Sequence, residues 1–252
     1  MALPTSLDYS IIIPAYNEED MLPKTIDSIR DAMSNISGKM GEIIVVDNDS
    51  SDLTAEVAKA RKCRVVHESF RQIAKARNRG AKEAIGRYLF FVDADTVVPN
   101  KILQEAISKM QKRKIGGGGA LIKFDHDHGR FFSGKLLPML WNLLSEHFKL
   151  FAGSFIFCRA DYFDQAGGFP ESHFAGEEII FAKRLKKVLK DGGLGVCVLK
   201  DFHVCSSARK LVWHSDWSIL NKILPLVGLP WLLKSRKACR FWYERPSRSR
   251  NG

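Results

Sequence analysis

Two periodicities alternate along the first half of the chain. Apolar runs of strand length, "YSIIIPAYN" (9–17), "EIIVVDNDS" (42–50), "CRVVHE" (63–68) and "RYLFFVD" (87–93), are separated by segments whose apolar residues recur every three or four positions. In "EDMLPKTIDSIRDAM" (19–33), Met21, Leu22, Ile26, Ile29 and Met33 share one side of a helix. "SDLTAEVAKARK" (51–62) predicts a second helix, the basic "IAKARNRGAKEAIG" (73–86) a third, and Pro99 opens a fourth. Strands that are apolar at nearly every position are buried on both faces, so the pattern predicts an α/β domain with a mostly parallel sheet flanked by helices. No internal repeat divides the chain.

The second half is less regular. "GGGG" (116–119) reads as a hinge or turn before the strand "ALIKF", with a phosphate-cradling backbone as the weaker alternative, since no P-loop lysine follows. "DHDHGR" (125–130) reads as a solvated loop rather than a metal site, because alternate residues of a strand face opposite ways. "VCVLKDFHVCSSARKL" (196–211) predicts a strand followed by a polar, cationic turn, and His203 and His214 read as structural.

Ligands of parallel α/β sheets sit beyond the C-terminal strand ends. The residues just past three predicted strands are Asn17 and Glu18, then Asp47 and Asp49, then Asp93 and Asp95. If strand geometry persists through "FFVDAD", Asp93 and Asp95 point the same way. Two carboxylates about 4 Å apart at an effective dielectric near 20 repel by on the order of 4 kcal/mol, which a divalent cation between them reverses. A dication-binding pair is therefore expected there.

Composition narrows the class further. In 252 residues, 45% hydrophobic and 27% charged content describe a globular chain with a sizeable core. The five cysteines (Cys63, Cys158, Cys197, Cys205, Cys239) are scattered without a C-x-x-C pair, so they read as reduced thiols. "MALPTSLDYS" lacks the features of a secretory signal, and "ILPLVGLPWLL" (223–233) is too short and proline-broken to span a bilayer. These features predict a cytoplasmic location. Of the net charge of +11, six units lie beyond residue 233, where seven basic residues face Glu244 alone. This basic, aromatic tail reads either as a solvated end or as an anchor on the anionic inner face of a membrane. No nucleic-acid-binding motif accompanies the charge.

"SIIIPAYNEE", "EIIVVDNDSSD", "AKARNRGAKEAIGRYLFFVDADTVVP", "AGGFPE" and "AGEEIIFAKRLKK", in this order, closely resemble the family 2 glycosyltransferases over residues 9–190. The resemblance implies a GT-A fold, Rossmann-like, in one domain (1–212) with a C-terminal helical extension (213–252). It implies a nucleotide-diphosphate sugar donor, with Pro14, Ala15, Asn17 and Glu18 along the nucleoside and ribose and Asp47 meeting the base. Asp93, Ala94 and Asp95 become a D-x-D motif, its acids holding Mg²⁺ or Mn²⁺ against the diphosphate. Arg77 of the A-R-N-x-G pattern is directed at the donor, with Asn78 and Gly80 in packing roles, and Ser206, Ser207, Arg209 and Lys210 form a loop closing over it. The catalytic base is Glu178, with Glu177 beside it, where the family carries Glu-Asp; one extra methylene shifts that carboxylate. The implied reaction is inverting transfer to an acceptor hydroxyl, either a saccharide or a lipid-linked one, as permitted by the apolar "FFSGKLLPMLWNLL" (131–144). The rival readings are a nucleotidyltransferase, which would carry a glycine-rich N-terminal signature with a lysine, and a nucleotide-sugar-binding protein without turnover.

Overall fold

The computed structural model describes residues 7–112, 114–126, 131–209, 216–217, 221 and 229–243. Eight strands form one sheet: β1 (Leu7–Ala15), β2 (Gly41–Asp47), β3 (Arg64–His67), β4 (Gly86–Val92), β5 (Thr96–Val97), β6 (Ile115–Phe124), β7 (Phe155–Arg159) and β8 (Gly195–Ser206). Their order is β3-β2-β1-β4-β7-β6-β8-β5. The first half behaves as its pattern predicts, with β3, β2, β1 and β4 all parallel. Beyond β4 the sheet becomes mixed, because β7 enters antiparallel between β4 and β6.

Alternation along each strand splits the core into two layers. Ile11, Ile13, Val45 and Phe90 face one side, where Leu22, Ile26 and Ile29 of α1 (Leu22–Ser34) and Leu103 and Ile107 of α4 (Ile102–Lys112) cover them. Ile12, Ile44, Val46 and Phe91 face the other, under α3 (Ile73–Glu83), α6 (Ala160–Gln165) and α7 (Glu177–Asp191). The short α2 (Thr54–Ala60) joins β2 to β3, and a π-helical turn (Phe131–Leu136) runs into α5 (Leu137–Phe148). Gly80 lets α3 lie directly on the sheet, because a Cβ there would collide with the Ile12 side chain.

The glycine run 116–119 is not a hinge. It lies inside β6, between β7 and β8. A Cβ on Gly118 would collide with the Cys197 carbonyl oxygen, and one on Gly116 with Leu189 of α7. The run is a close-packing device that lets neighbouring backbone and helix approach the sheet.

At the other end of the chain, a 3₁₀ turn (Pro230–Lys234) and α8 (Arg240–Tyr243) return to the body of the domain. The Phe174 N–H donates to the Leu233 carbonyl at 2.7 Å, Cys239 is fully buried, and Tyr243 meets Phe174 edge-on. No helix among the described residues is long and apolar enough to cross a membrane.

Candidate active site

The C-terminal ends of the parallel strands come level: Ala15 pairs with Asp47, and Asp47 with His67. Just beyond β1, Asn17 adopts φ +53°, a left-handed conformation that asparagine tolerates, and this ends the strand two residues before the pattern does. The loops after β1 and β2 are then laced together. Ser51 N–H donates to Asn17 Oδ1 (2.8 Å), Asn17 N–H to Ser50 Oγ (3.0 Å), and Glu18 N–H to Thr54 Oγ1 (2.7 Å). Asp47 is buried and accepts from Ser50 N–H at 3.2 Å. Pro14 and Ala15 close the strand beneath this loop pair.

Asp93 and Asp95 are placed by a turn, not by strand alternation. β4 ends at Val92, and the Thr96 N–H donates back to the Asp93 carbonyl at 3.1 Å. Ala94 at the turn is buried, and its carbonyl accepts from Thr25 Oγ1 at 2.8 Å. Both aspartates nonetheless face one cavity. Their repulsion is offset by two arginines. Arg77 Nη2 lies 2.9 Å from Asp93 Oδ1, and Arg209 Nη2 lies 3.2 Å from Asp95 Oδ2.

Arg77 is the centre of the site's buried electrostatics. It is 1% exposed and ties three elements together: Asp93 after β4, Glu177 Oε1 at the start of α7 (2.9 Å) and the Gly153 carbonyl before β7 (3.1 Å). Gly153 carries no side chain because a Cβ would lie 2.8 Å from Arg77 Nη2. Phe169 packs against the guanidinium with its ring 5.1 Å away. Such a cation is held in place only because its carboxylates and carbonyl compensate its desolvation. Buried at the cavity wall, it supports Asp93 and Glu177 and is not a free basic face of α3.

The two acids at the start of α7 divide their roles by burial. Gly176, at φ +70°, turns the chain so that Glu177 goes inward to Arg77 while Glu178, half-buried, borders the cavity. Burial, and then the neighbouring Glu177 carboxylate, push the Glu178 carboxyl up to about 8, against the opposing pull of Arg77. The loop that leads to this turn is held by Asn78, which donates to the Phe169 carbonyl and accepts from the Phe169 N–H, both at 2.9 Å.

These groups border a cavity of about 380 Å³. Its polar end holds Asp93, Asp95, Glu177, Glu178, Ser206 and Ser207; its apolar end holds Ile122, Phe124, Leu137, Trp141, Phe174 and Tyr243. Pro14, Ala15, Asn17, Glu18, Asp47, Ala94 and Arg209 are not among its lining residues. Arg209 joins the two sets, since it bridges Glu18 and Asp95. Lys210 and His214 lie outside the described residues, as do 127–130 of "DHDHGR" and most of the apolar run 223–233, while His203 is exposed on β8. Sequence does not single out Trp141, Phe174 or Tyr243 individually; the apolar character of 131–144 covers Trp141 and the aromatic character of the tail covers Tyr243, while nothing signals Phe174.

The donor set fits a hard dication. Asp93 and Asp95 present carboxylate oxygens to one cavity, and each has one oxygen engaged by an arginine. Among the described residues no cluster of three or more metal-ligating side chains occurs. Two carboxylates completed by substrate phosphates is the arrangement magnesium prefers.

The family model described as "Glycosyl transferase family 2" matches residues 10–167. The uncharacterized glycosyltransferase EpsJ of Bacillus subtilis (strain 168) is 33% identical over 112 residues, which are 42% of this chain and 31% of the relative. UDP-Glc:alpha-D-GlcNAc-diphosphoundecaprenol beta-1,3-glucosyltransferase WfgD of Escherichia coli is 36% identical over 112 residues, 42% of each chain. This chain thus spans less than half the length of either relative. The solved mannosyltransferase PcManGT from Pyrobaculum calidifontis, in complex with GDP-Man and Mn²⁺, superposes with a TM-score of 0.66 at 18% identity, covering 93% of this chain and 65% of that one. The fold is that of the GT-A glycosyltransferases.

Proposed function

Because this chain belongs to glycosyl transferase family 2, we propose that it moves a sugar from a nucleoside-diphosphate sugar to an acceptor hydroxyl with inversion at the anomeric carbon. The observation that carries the reading is the convergence of Asp93, Asp95 and Glu178 on one cavity at the C-terminal edge of the sheet. The catalytic domain is 1–212, with 213–252 as an extension whose described part packs on it.

Glu178 is the base. It takes the acceptor hydroxyl proton as the acceptor oxygen forms its bond to the anomeric carbon. The bond from that carbon to the diphosphate breaks on the opposite face, and the nucleoside diphosphate leaves with the electron pair. A carboxyl raised towards neutral pH suits this task, since base strength and the deprotonated fraction are then balanced. Glu177 and Arg77 position Asp93 and the start of α7. Asn17, Glu18 and Asp47, with Pro14, Ala15 and Ala94 as their backbone setting, bind the nucleoside side of the donor, and Arg209 meets the diphosphate. Asp93 and Asp95 would hold Mg²⁺ or Mn²⁺, which supplies Lewis-acid stabilisation of the leaving diphosphate.

The apolar end of the cavity favours a lipid-linked acceptor over a free saccharide, as does the diphosphoundecaprenol in the name of the Escherichia coli relative. The test is calorimetric titration of UDP, GDP, CDP and dTDP, with and without Mn²⁺, into the wild type and Asp95→Asn. Metal-linked binding of one nucleotide that Asp95→Asn abolishes is the expected result. No metal-linked binding of any of the four would remove the donor half of the reading.

A further inference from the structure

The cavity-lining helix α5 has a second face that is left exposed among the described residues. Pro138 and Ser145 are buried against the domain, and Leu137 and Trp141 border the cavity. Met139, Leu140, Leu143, Leu144 and Phe148 recur at helical spacing on the outer side and are between 42% and 65% exposed. Five large apolar side chains on one exposed helix face form a contiguous patch, not scattered surface residues.

The surroundings of the patch identify what covers it. At the C-terminal end of α5, Lys186 of α7 lies within charge range of both Lys149 and Lys183. Burial first, and then the two neighbouring ammonium groups, lower the pKa of Lys186. The nearby acid Glu146 is already paired with Lys200 at 2.7 Å. At the N-terminal end, Ser133 donates to Asp216, which brings Trp217, 74% exposed, beside the turn that opens α5. An apolar stripe flanked by lysines and a tryptophan matches an anionic bilayer, whose acyl chains are bordered by an interface of aromatic side chains and anionic headgroups. A second copy packed about a two-fold axis would present this same cationic patch to the interface, which disfavours self-association.

We propose that the outer face of α5 docks on an anionic lipid surface, which brings the apolar end of the cavity, bordered by Leu137 and Trp141 of the same helix, to the membrane, where it meets a lipid-linked acceptor. The docking surface stands on its own geometry; the acceptor it would deliver rests on the functional reading above.

The test is flotation of the full chain with phosphatidylcholine vesicles and with phosphatidylcholine vesicles containing phosphatidylglycerol, at low and high salt. The wild type is expected to float with the anionic vesicles only, less so at high salt. The triple variant Met139→Gln, Leu143→Gln, Leu144→Gln, in which the basic tail is intact, should lose about tenfold or more of that binding. Lys149→Glu with Lys183→Glu should lose a comparable amount. All these side chains are exposed, and a nucleotide titration unchanged from wild type certifies the fold of each variant. A wild type that stays unbound, or a triple variant that floats as well as wild type, overturns the proposal. So does a wild-type dimer in sedimentation that the triple variant converts to monomer without any vesicle binding. Failure of the nucleotide titration in the wild type would instead strike the functional reading, since flotation needs no donor.

Discussion

Glu178 and Arg77 show how single side chains set the chemistry. Glu178→Gln keeps the size and hydrogen bonding of the carboxyl but cannot accept the proton, so turnover should fall by about 10²–10⁴-fold while calorimetric nucleotide affinity is retained. With its carboxyl pushed up to about 8, the wild-type kcat/KM should rise with pH along a limb well above the usual glutamate range. Stability should move the other way. Between the ordinary glutamate value and that raised one, the folded state holds a proton that the unfolded chain has lost, so stability contributed by this group is lost as pH rises through the window. Urea unfolding at pH 5 and pH 8 should show a flatter dependence for Glu178→Gln. Arg77→Met leaves Glu177 buried without its cation, and should cost about 3–5 kcal/mol in urea unfolding.

β6 and the turn after β4 carry the lesson at the level of elements. Four consecutive glycines have high backbone freedom in isolation and therefore read as a hinge. Their actual cause is external: Cys197 on β8 and Leu189 on α7 come so close to β6 that no side chain fits. Gly118→Ala should accordingly lower thermal stability by about 1–3 kcal/mol or more, through overpacking rather than lost flexibility. The D-x-D pair was legible as a convergent pair of acids. The means of convergence was not, because the Thr96-to-Asp93 hydrogen bond replaces the strand alternation that local pattern implies. Asn78→Ala, which removes both bonds to Phe169, should slow turnover more than it weakens nucleotide binding, since that loop leads into the turn bearing Glu178.

For the molecule as a whole, the polar loops after β1 and β2 and the apolar end of the cavity depend on different parts of the chain. Deleting residues 230–252 strips Cys239, Leu233 and Tyr243 from the turn at Phe174–Gly176. It should lower the melting temperature and turnover, yet spare nucleotide binding at the β1 and β2 ends, which a calorimetric titration of the truncated chain checks. The alternating periods and the acids at three strand ends determined, from sequence alone, the α/β class, the parallel half of the sheet and the residues that border its C-terminal edge, because strand and helix periodicity and strand termination are local properties. Tertiary structure decided that Arg77 is buried at the cavity wall, that Glu177 pairs with it while Glu178 beside it does not, and that Trp141 and Tyr243 belong to the apolar wall. Burial and pairing between residues far apart in the chain, 100 positions for Arg77 and Glu177 and 191 for Arg209 and Glu18, depend on how layers pack, and no local pattern encodes that.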